Sequence, residues 1–212
     1  MLSVRCCVGL AVLLAVPLVA AGDPSGPPPV PPGYDMGFVT NGDFGNGLTG
    51  WSYGWYGPNS GVTVASLGGN QVALLEAEGY WEEEWIHPEE PPIYIEMPGH
   101  ASLSQSIALP ASGGELAFVY WLDEGNGDAC VLLGGEYLAL LDESTGDWMT
   151  ETLSVPESLA GSTAYLSFSL YNDNGPEGPT RLWLDYVSIT PEPATLALLA
   201  VGGLGLLVRR RG

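Results

Sequence analysis

Short apolar runs separated by glycine-rich turns make up the chain between residues 38 and 190, and no stretch shows a convincing 3.6-residue period. In Leu166–Leu170 large apolar residues alternate strictly with serine, which places successive side chains on opposite faces of a sheet. Two Gly-Gly turns between apolar runs favour hairpins, because such turns need positive φ. The predicted strands are Val62–Ser66, Gln71–Glu76, Ala101–Leu109, Glu115–Leu122, Cys130–Leu133, Tyr137–Leu141, Trp148–Val155, Ala164–Tyr171 and Arg181–Thr190.

These strands predict an all-β fold, an antiparallel two-sheet sandwich of jelly-roll type. The domain is expected to span residues 37–190, since residues 23–36 are rich in proline and glycine and are interpreted as an extended linker. Cys130 is the single cysteine of this part of the chain, so no internal disulfide is expected. Its apolar neighbours Ala129 and Val131 suggest a small buried side chain.

Both ends of the chain have the composition of targeting segments. Residues 1–22 carry Arg5, an apolar run over Val8–Ala20 and then small residues, which is typical of a helical secretory signal peptide. At the other end, Ala194–Val208 is apolar without interruption. As a helix it would cover about 22 Å of a roughly 30 Å hydrocarbon core, so it predicts a short transmembrane segment.

The order of the last residues, 191–212, carries a resemblance. Pro191, Glu192 and Pro193 precede the apolar run, and Arg209, Arg210 and Arg211 follow it. This order resembles the PEP-CTERM sorting signal of exported bacterial proteins. The resemblance implies an exosortase-type transpeptidase as partner, cleavage near the Pro-Glu-Pro tripeptide, and delivery to the cell surface or extracellular matrix. A permanent tail anchor is the alternative, which the glycines within the run disfavour.

The charge of the exported part limits its partners. From Asp23 to Thr190 the chain holds 24 acidic residues against Arg181 alone, a formal charge of −23. Nucleic acid is excluded as a partner, because phosphate binding requires cationic groups. Cations and neutral ligands remain open, as does a general role of the charge in keeping a secreted protein soluble.

The segment from Glu76 to Met97 is the strongest candidate binding site, and it is predicted to be a long, extended loop because of its prolines. Trp81, Trp85 and Tyr94 offer flat apolar faces for a sugar ring, and neighbouring carboxylates can accept hydroxyl hydrogen bonds. A second aromatic group, Trp51, Tyr53, Trp55 and Tyr56, is expected nearby, with Trp51 packed inside the sandwich. The alternative is a solvated loop without a ligand. The segment's acidic residues are Glu76, Glu78, Glu82, Glu83, Glu84, Glu89, Glu90 and Glu96.

A second resemblance lies at the two ends of the domain. Asn41-Gly42-Asp43-Phe44, followed by Gly47–Trp51, and Leu184–Ile189 are similar to the first and last strands of galactose-binding-like jelly rolls, which include many carbohydrate-binding modules. The resemblance implies a calcium ion held by Asp43 and Asp185. Gly45 stands where that family has a glutamate, and calcium requires six to eight oxygens, so further ligands are needed. The alternative is that Asp185 hydrogen-bonds a buried turn.

The sequence offers few components for catalysis. It has no lysine, two histidines and no Gly-x-Ser-x-Gly motif, so neither a zinc site nor a nucleophilic triad is indicated. The acidic turns at 123–128 and 172–175 do not fit the twelve-residue calcium loop. We therefore expect a non-catalytic, structural or adhesive surface protein with glycan binding as its activity; the alternative is a carbohydrate-active enzyme using paired carboxylates.

Overall fold

The computed structural model describes residues 37–85, 91–123, 127–142, 144–173, 175 and 178–191. The predicted signal-peptide helix, the linker and the apolar C-terminal helix lie outside the described residues. Within the described ranges, the helical content is one 3-10 turn, Glu157–Leu159, and no helix is long and apolar enough to cross a membrane.

The described domain consists of strands joined by turns, and their bounds are as follows. They are β1 Ser52–Tyr56, β2 Gly61–Leu67, β3 Asn70–Ala77, β4 Tyr80–Glu84, β5 Ile93–Met97, β6 Gly99–Ala108, β7 Glu115–Leu122, β8 Gly127–Leu133, β9 Glu136–Leu141, β10 Met149–Ser154, β11 Thr163–Asn172 and β12 Thr180–Thr190.

The strands form two five-stranded antiparallel sheets and a separate hairpin. The front sheet has the order β1-β6-β11-β8-β9, the back sheet has the order β10-β7-β12-β3-β2, and β4 pairs only with β5. The prediction of an all-β, antiparallel two-sheet sandwich is confirmed, and the arrangement is consistent with the jelly-roll type. Each of the nine strands predicted from the sequence has an observed counterpart that overlaps it.

The core lies between the two sheets and follows the period-two pattern. In β11, Leu166, Phe168 and Leu170 are fully buried, whereas Tyr165 and Tyr171 are exposed on the other face. Phe168 meets Phe118 of the back sheet edge-to-face, with ring centroids 5.2 Å apart. Burying each such side chain contributes about 1.5–3 kcal/mol, so the alternation itself specifies which face of β11 is buried.

The segment before β1 is a compact turn and not a strand, which corrects the reading of residues 41–44 as the start of a first strand. Asn41 adopts a left-handed conformation with φ 52°. Its side chain donates to the carbonyls of Gly47 and Thr49 and accepts from the backbone N–H of Asn46. These local bonds replace a strand ladder, because asparagine tolerates positive φ and bonds to nearby backbone.

Cys130 is only half-buried, which corrects the expectation of a core cysteine. It pairs with Ser169 across the front sheet, and its neighbours Ala129 and Val131 enter the core, as does Leu133. Successive residues of a strand face opposite sides, so Cys130 faces outward. Burial raises the pKa of its thiol.

The two ends of the sandwich are named the tail pole and the hairpin pole, after the segment of the chain that lies at each. At the tail pole, Thr190 ends β12 opposite Glu115. At the hairpin pole, Thr180 pairs with Ala77, three residues before β4. Since β12 runs the length of the back sheet in 11 residues, the two poles are about 35 Å apart.

Candidate functional site

The aromatic hairpin β4–β5 projects at the hairpin pole, where a long loop was predicted. Trp81 lies opposite Glu96 and Tyr94 lies opposite Glu83, so one face of the hairpin carries two rings and two carboxylates in a diagonal arrangement. Trp85 follows β4 directly. The exposed fractions of Trp81, Trp85 and Tyr94 are 52%, 60% and 65%, so the three predicted rings are on the surface.

The other face of the hairpin is acidic and aliphatic. Tyr80, Glu82 and Glu84 alternate with the rings along β4 and lie opposite residues of β5 that include Ile93 and Ile95. A surface depression of about 240 Å³ is lined by Glu82, Glu83, Glu84 and Ile95. The loop prediction was wrong here because the sequence of β4 is mostly a run of glutamates, which shows no alternation of apolar and polar residues. The two faces of β4 become distinct only when its glutamates are paired with the β-branched residues Ile93 and Ile95.

The hairpin is attached to the sandwich at its base. Gly99 opens β6, and a side chain there would overlap the backbone of Glu78, so only glycine allows β4 to leave the sandwich at this point. The Tyr80 hydroxyl donates to the Tyr56 hydroxyl at 2.6 Å. This hydrogen bond, with some burial and the charges of Tyr56 and Glu82, raises the pKa of Tyr80 to about 12.

The outer face of the front sheet carries further rings next to the contact between Tyr56 and Tyr80. Tyr56 pairs with His100, and His100 pairs with Tyr171, so three ring systems of three strands share one face at the hairpin pole. The His100 and Tyr171 rings are 4.6 Å apart. Burial lowers the pKa of His100, and its Nε2 atom is buried with no hydrogen-bond partner among the described residues.

Serines fill the middle of this outer face. Ser102 and Ser104 of β6 lie opposite Ser169 and Ser167 of β11. Ser169 is buried and the other three are half-buried, and the hydroxyls of Ser102 and Ser104 donate to the carbonyls of Gly54 and Ser52. This polar face was not among the predicted sites. Its signal was present in the alternating Ser-Leu-Ser-Gln-Ser and Ser-Phe-Ser patterns, which were used only to predict strands.

The second aromatic group is divided between the core and the surface. Trp51 is 6% exposed and packs against Phe44 and Phe168, as predicted. Tyr53 and Trp55 are exposed on edge strand β1 and stack nearly parallel, with ring centroids 6.2 Å apart. Tyr56 is the member of this group that is hydrogen-bonded to the hairpin in the described part of the chain.

Asp43, in the turn before β1, lies near enough to Asp185 to affect its charge, and Asp185 stands where the register of β12 shifts at a bulge. Asp185 is fully buried; its Oδ1 accepts the backbone N–H of Tyr186, and its Oδ2 has no hydrogen-bond partner among the described residues. Burial, together with the nearby Asp43 charge, raises the pKa of Asp185 to about 7 against the lowering effect of the hydrogen bonds from Tyr186. Tyr186 has a positive φ of 49° at the bulge.

These two carboxylates fit a divalent cation in part. A buried carboxylate oxygen without a partner, next to a second carboxylate, is a donor set of the kind that calcium takes. No group of three or more histidine, cysteine or acidic residues that could hold a metal occurs in the described ranges. Asp43 and Asp185 would therefore supply carboxylate oxygens to an ion whose other ligands are not acidic side chains.

Together, the fold and the exposed rings define a β-sandwich with an aromatic surface at one pole and a tail at the other. The chain carries a PEP-CTERM protein-sorting motif at residues 190–211. This motif implies a protein exported to the cell surface. No match was found among curated protein sequences.

Solved structures with this fold include carbohydrate-binding modules. TmCBM61, solved in complex with β-1,4-galactotriose, has 15% identity and a TM-score of 0.52, over 74% of this chain and 100% of that chain. The K3 cleaved adhesin domain of Lys-gingipain from Porphyromonas gingivalis has 18% identity and a TM-score of 0.49, over 72% and 99%. A putative sugar-binding protein from Bacteroides thetaiotaomicron has 8% identity and a TM-score of 0.48, over 74% and 100%. The first of these shows that the domain has the fold of a carbohydrate-binding-module jelly roll.

Proposed function

We propose that this chain is an exported, non-catalytic surface protein whose sandwich binds glycan chains through the aromatic hairpin. The observation that carries the proposal is the pair of exposed rings, Trp81 and Tyr94, each opposite a carboxylate. A ring face can cover the apolar face of a sugar while a carboxylate accepts its hydroxyl groups. The galactotriose bound by TmCBM61 supports a glycan as ligand by analogy of fold.

The outer face of the front sheet extends the proposed site. Tyr56 joins the hairpin through Tyr80, and the half-buried Ser102 and Ser104 continue a polar face along β6 beyond His100. A polysaccharide lying across this face would contact rings first and the half-buried serines further along. A binding surface that is open in this way favours an internal stretch of a polymer over its end.

The position of the tail supports a display role. The sorting motif begins at Thr190, the last residue of β12, so attachment through this end would hold the tail pole toward the cell. The hairpin pole would then point outward, about 35 Å from the point of attachment. We propose that residues 1–22 are removed on export, that residues 191–212 are processed by an exosortase-type transpeptidase, and that residues 37–190 are the displayed domain.

Removing the exposed rings is expected to abolish glycan binding without unfolding the domain. Trp81→Ala and Trp85→Ala should each weaken retention on a polysaccharide array by about 5- to 150-fold, since stacking of one ring contributes roughly 1–3 kcal/mol by analogy with base stacking. The melting temperature should change little, because surface substitutions are usually within about 0.5 kcal/mol.

Phe38→Ala is the matched control. Phe38 is an exposed ring whose backbone N–H donates to the carbonyl of Ile189 near the tail pole, and its loss should leave retention unchanged. If neither tryptophan variant alters retention, the hairpin is not the glycan site. If the wild-type domain is retained on no polysaccharide, the surface protein is structural and has no glycan ligand.

The processing proposal predicts the mass of the protein recovered from the producing cell. Mass spectrometry should find a chain that lacks residues 1–22 and that ends near Pro191–Pro193. A mature form that still carries Arg209–Arg211 would contradict the cleavage and would favour a permanent tail anchor.

A further inference from the structure

We propose that the glycan bound at the hairpin is cationic, an amino-sugar polysaccharide with free amines. This inference rests on the proposed glycan-binding function and names its substrate class. It is drawn from the charge of the surface around the exposed rings.

A carboxylate lies opposite each of three rings of the proposed site, Trp81, Tyr94 and Tyr171. Glu83 and Glu96 lie directly opposite Tyr94 and Trp81 on one hairpin face, and Glu82 and Glu84 lie on the other. On the outer face of the front sheet, Asp128 lies opposite Tyr171. A sugar stacked on any of these rings therefore has an acidic group within the span of one cross-strand pair, about 5 Å at the Cβ atoms.

In the part of the chain that the structure describes, no lysine or arginine pairs with these carboxylates. Arg181 is the single lysine or arginine between residues 37 and 191. It lies on the back sheet, where its Nε is 2.8 Å from Glu76 and one terminal nitrogen is 3.9 Å from Asp123. Burial lowers the pKa of His100, which disfavours its cationic form. The hairpin carboxylates are thus free of protein counter-charges from the basic residues of the described ranges.

This charge selects among the occupants of the aromatic surface. Polymers of uronic or sulfated sugars would be repelled, and so would a second copy of the same acidic hairpin, since like charges facing each other across an interface are costly. A neutral glycan would offer these carboxylates only hydroxyl donors, whose hydrogen bonds are weaker than those of a charged donor. An ammonium group on the sugar would instead form charge-assisted hydrogen bonds with them while the ring stacks.

The test compares one polymer in two chemical states. Binding of the intact protein would be measured to chitosan, at a pH below the pKa of its amines, and to the same polymer after complete N-acetylation. We expect about tenfold tighter binding to the free-amine form, with a preference that falls as salt rises. Glu83→Gln combined with Glu96→Gln should remove this preference, whereas Glu157→Gln, an exposed position on the 3-10 turn, should preserve it.

The possible failures are distinguishable. Equal binding to both forms that still requires Trp81 would overturn the cationic ligand and leave the glycan site standing. Binding to neither form, nor to a neutral galactan or a uronate polymer, would overturn both. Polylysine binding as tightly as chitosan and insensitive to Trp81→Ala would show that charge alone acts, and would also overturn the amino-sugar proposal.

Discussion

Replacing Asp185 by asparagine is expected to stabilise the calcium-free domain at pH 8 by about 1–3 kcal/mol. A pKa of about 7 in place of 3.8 means that ionising this fully buried carboxylate costs the folded state up to about 4 kcal/mol. Asparagine keeps an oxygen that can accept the N–H of Tyr186 and removes the charge. Its amide nitrogen would take the position of Oδ2 and would have no hydrogen-bond partner. This costs about 1–3 kcal/mol and reduces the gain in stability by that amount.

The same pKa sets the pH dependence. Between the unfolded value of 3.8 and the folded value of about 7, the folded state binds more protons than the unfolded state. The free energy of unfolding therefore falls as pH rises through this window, and the cost is fully present above about pH 7. Wild-type protein should lose stability between pH 5 and pH 8, and Asp185→Asn should lose less.

Calcium is expected to offset the destabilising ionisation of Asp185, and to do so only in the wild-type protein. If Asp43 and Asp185 hold an ion, calcium at constant ionic strength should raise the melting temperature of the wild type at pH 8 and saturate, as specific binding does. Asp185→Asn should respond only to general screening. Melting curves that are the same for both proteins, with and without calcium, would exclude both the ionisation cost and the metal site.

The strands of the sandwich could be predicted because each has one face in the core. β7 was predicted with its observed bounds, Glu115–Leu122, and the bounds of β11 differ by one residue at each end. Inward residues such as Leu166 and Phe168 alternate with outward serines, so the period of two was visible along the chain.

The strands without a buried face were missed. β1, β4 and β5 are exposed along most of their length, and their rings and acids occupy both faces. Their structure depends on pairing partners far along the chain, as when Tyr53 of β1 pairs with Leu103 of β6. A single sequence does not specify such pairs, so the aromatic residues were identified while their arrangement was not.

The candidate sites divide in the same way. Trp81, Trp85 and Tyr94 could be predicted as site residues from the sequence, because aromatic residues are unusual within a run of glutamates. The addition of Tyr56, His100 and Tyr171 required the register of three strands. The proximity of Asp43 to Asp185 was predicted only from the resemblance to galactose-binding-like jelly rolls. The two residues are 142 positions apart, and no local sequence pattern connects them.

Truncating Trp51 should have the opposite outcome to truncating Trp81, although both substitutions remove the same side chain. Trp51 packs against Phe44 and Phe168, and its indole N–H donates to the Asn41 carbonyl at 3.1 Å. Trp51→Ala should therefore cost about 3–5 kcal/mol, through the lost burial and an unpaired carbonyl. Denaturant unfolding of a fragment spanning residues 37–190 would measure it.

Comparing the stability lost in Trp51→Ala with the total stability of the domain tests whether the sandwich has one core. A domain of this kind has a total stability of about 5–15 kcal/mol, so Trp51→Ala should lower the unfolding midpoint strongly or prevent folding. Trp51→Phe keeps most of the buried area and should lose less, which preserves a measurable transition if the alanine variant does not fold. Because Trp51 joins the turn at Asn41 to the front sheet, the transition should stay cooperative and insensitive to reductant. A Trp51→Ala variant as stable as Trp81→Ala would mean that the turn before β1 does not belong to the core.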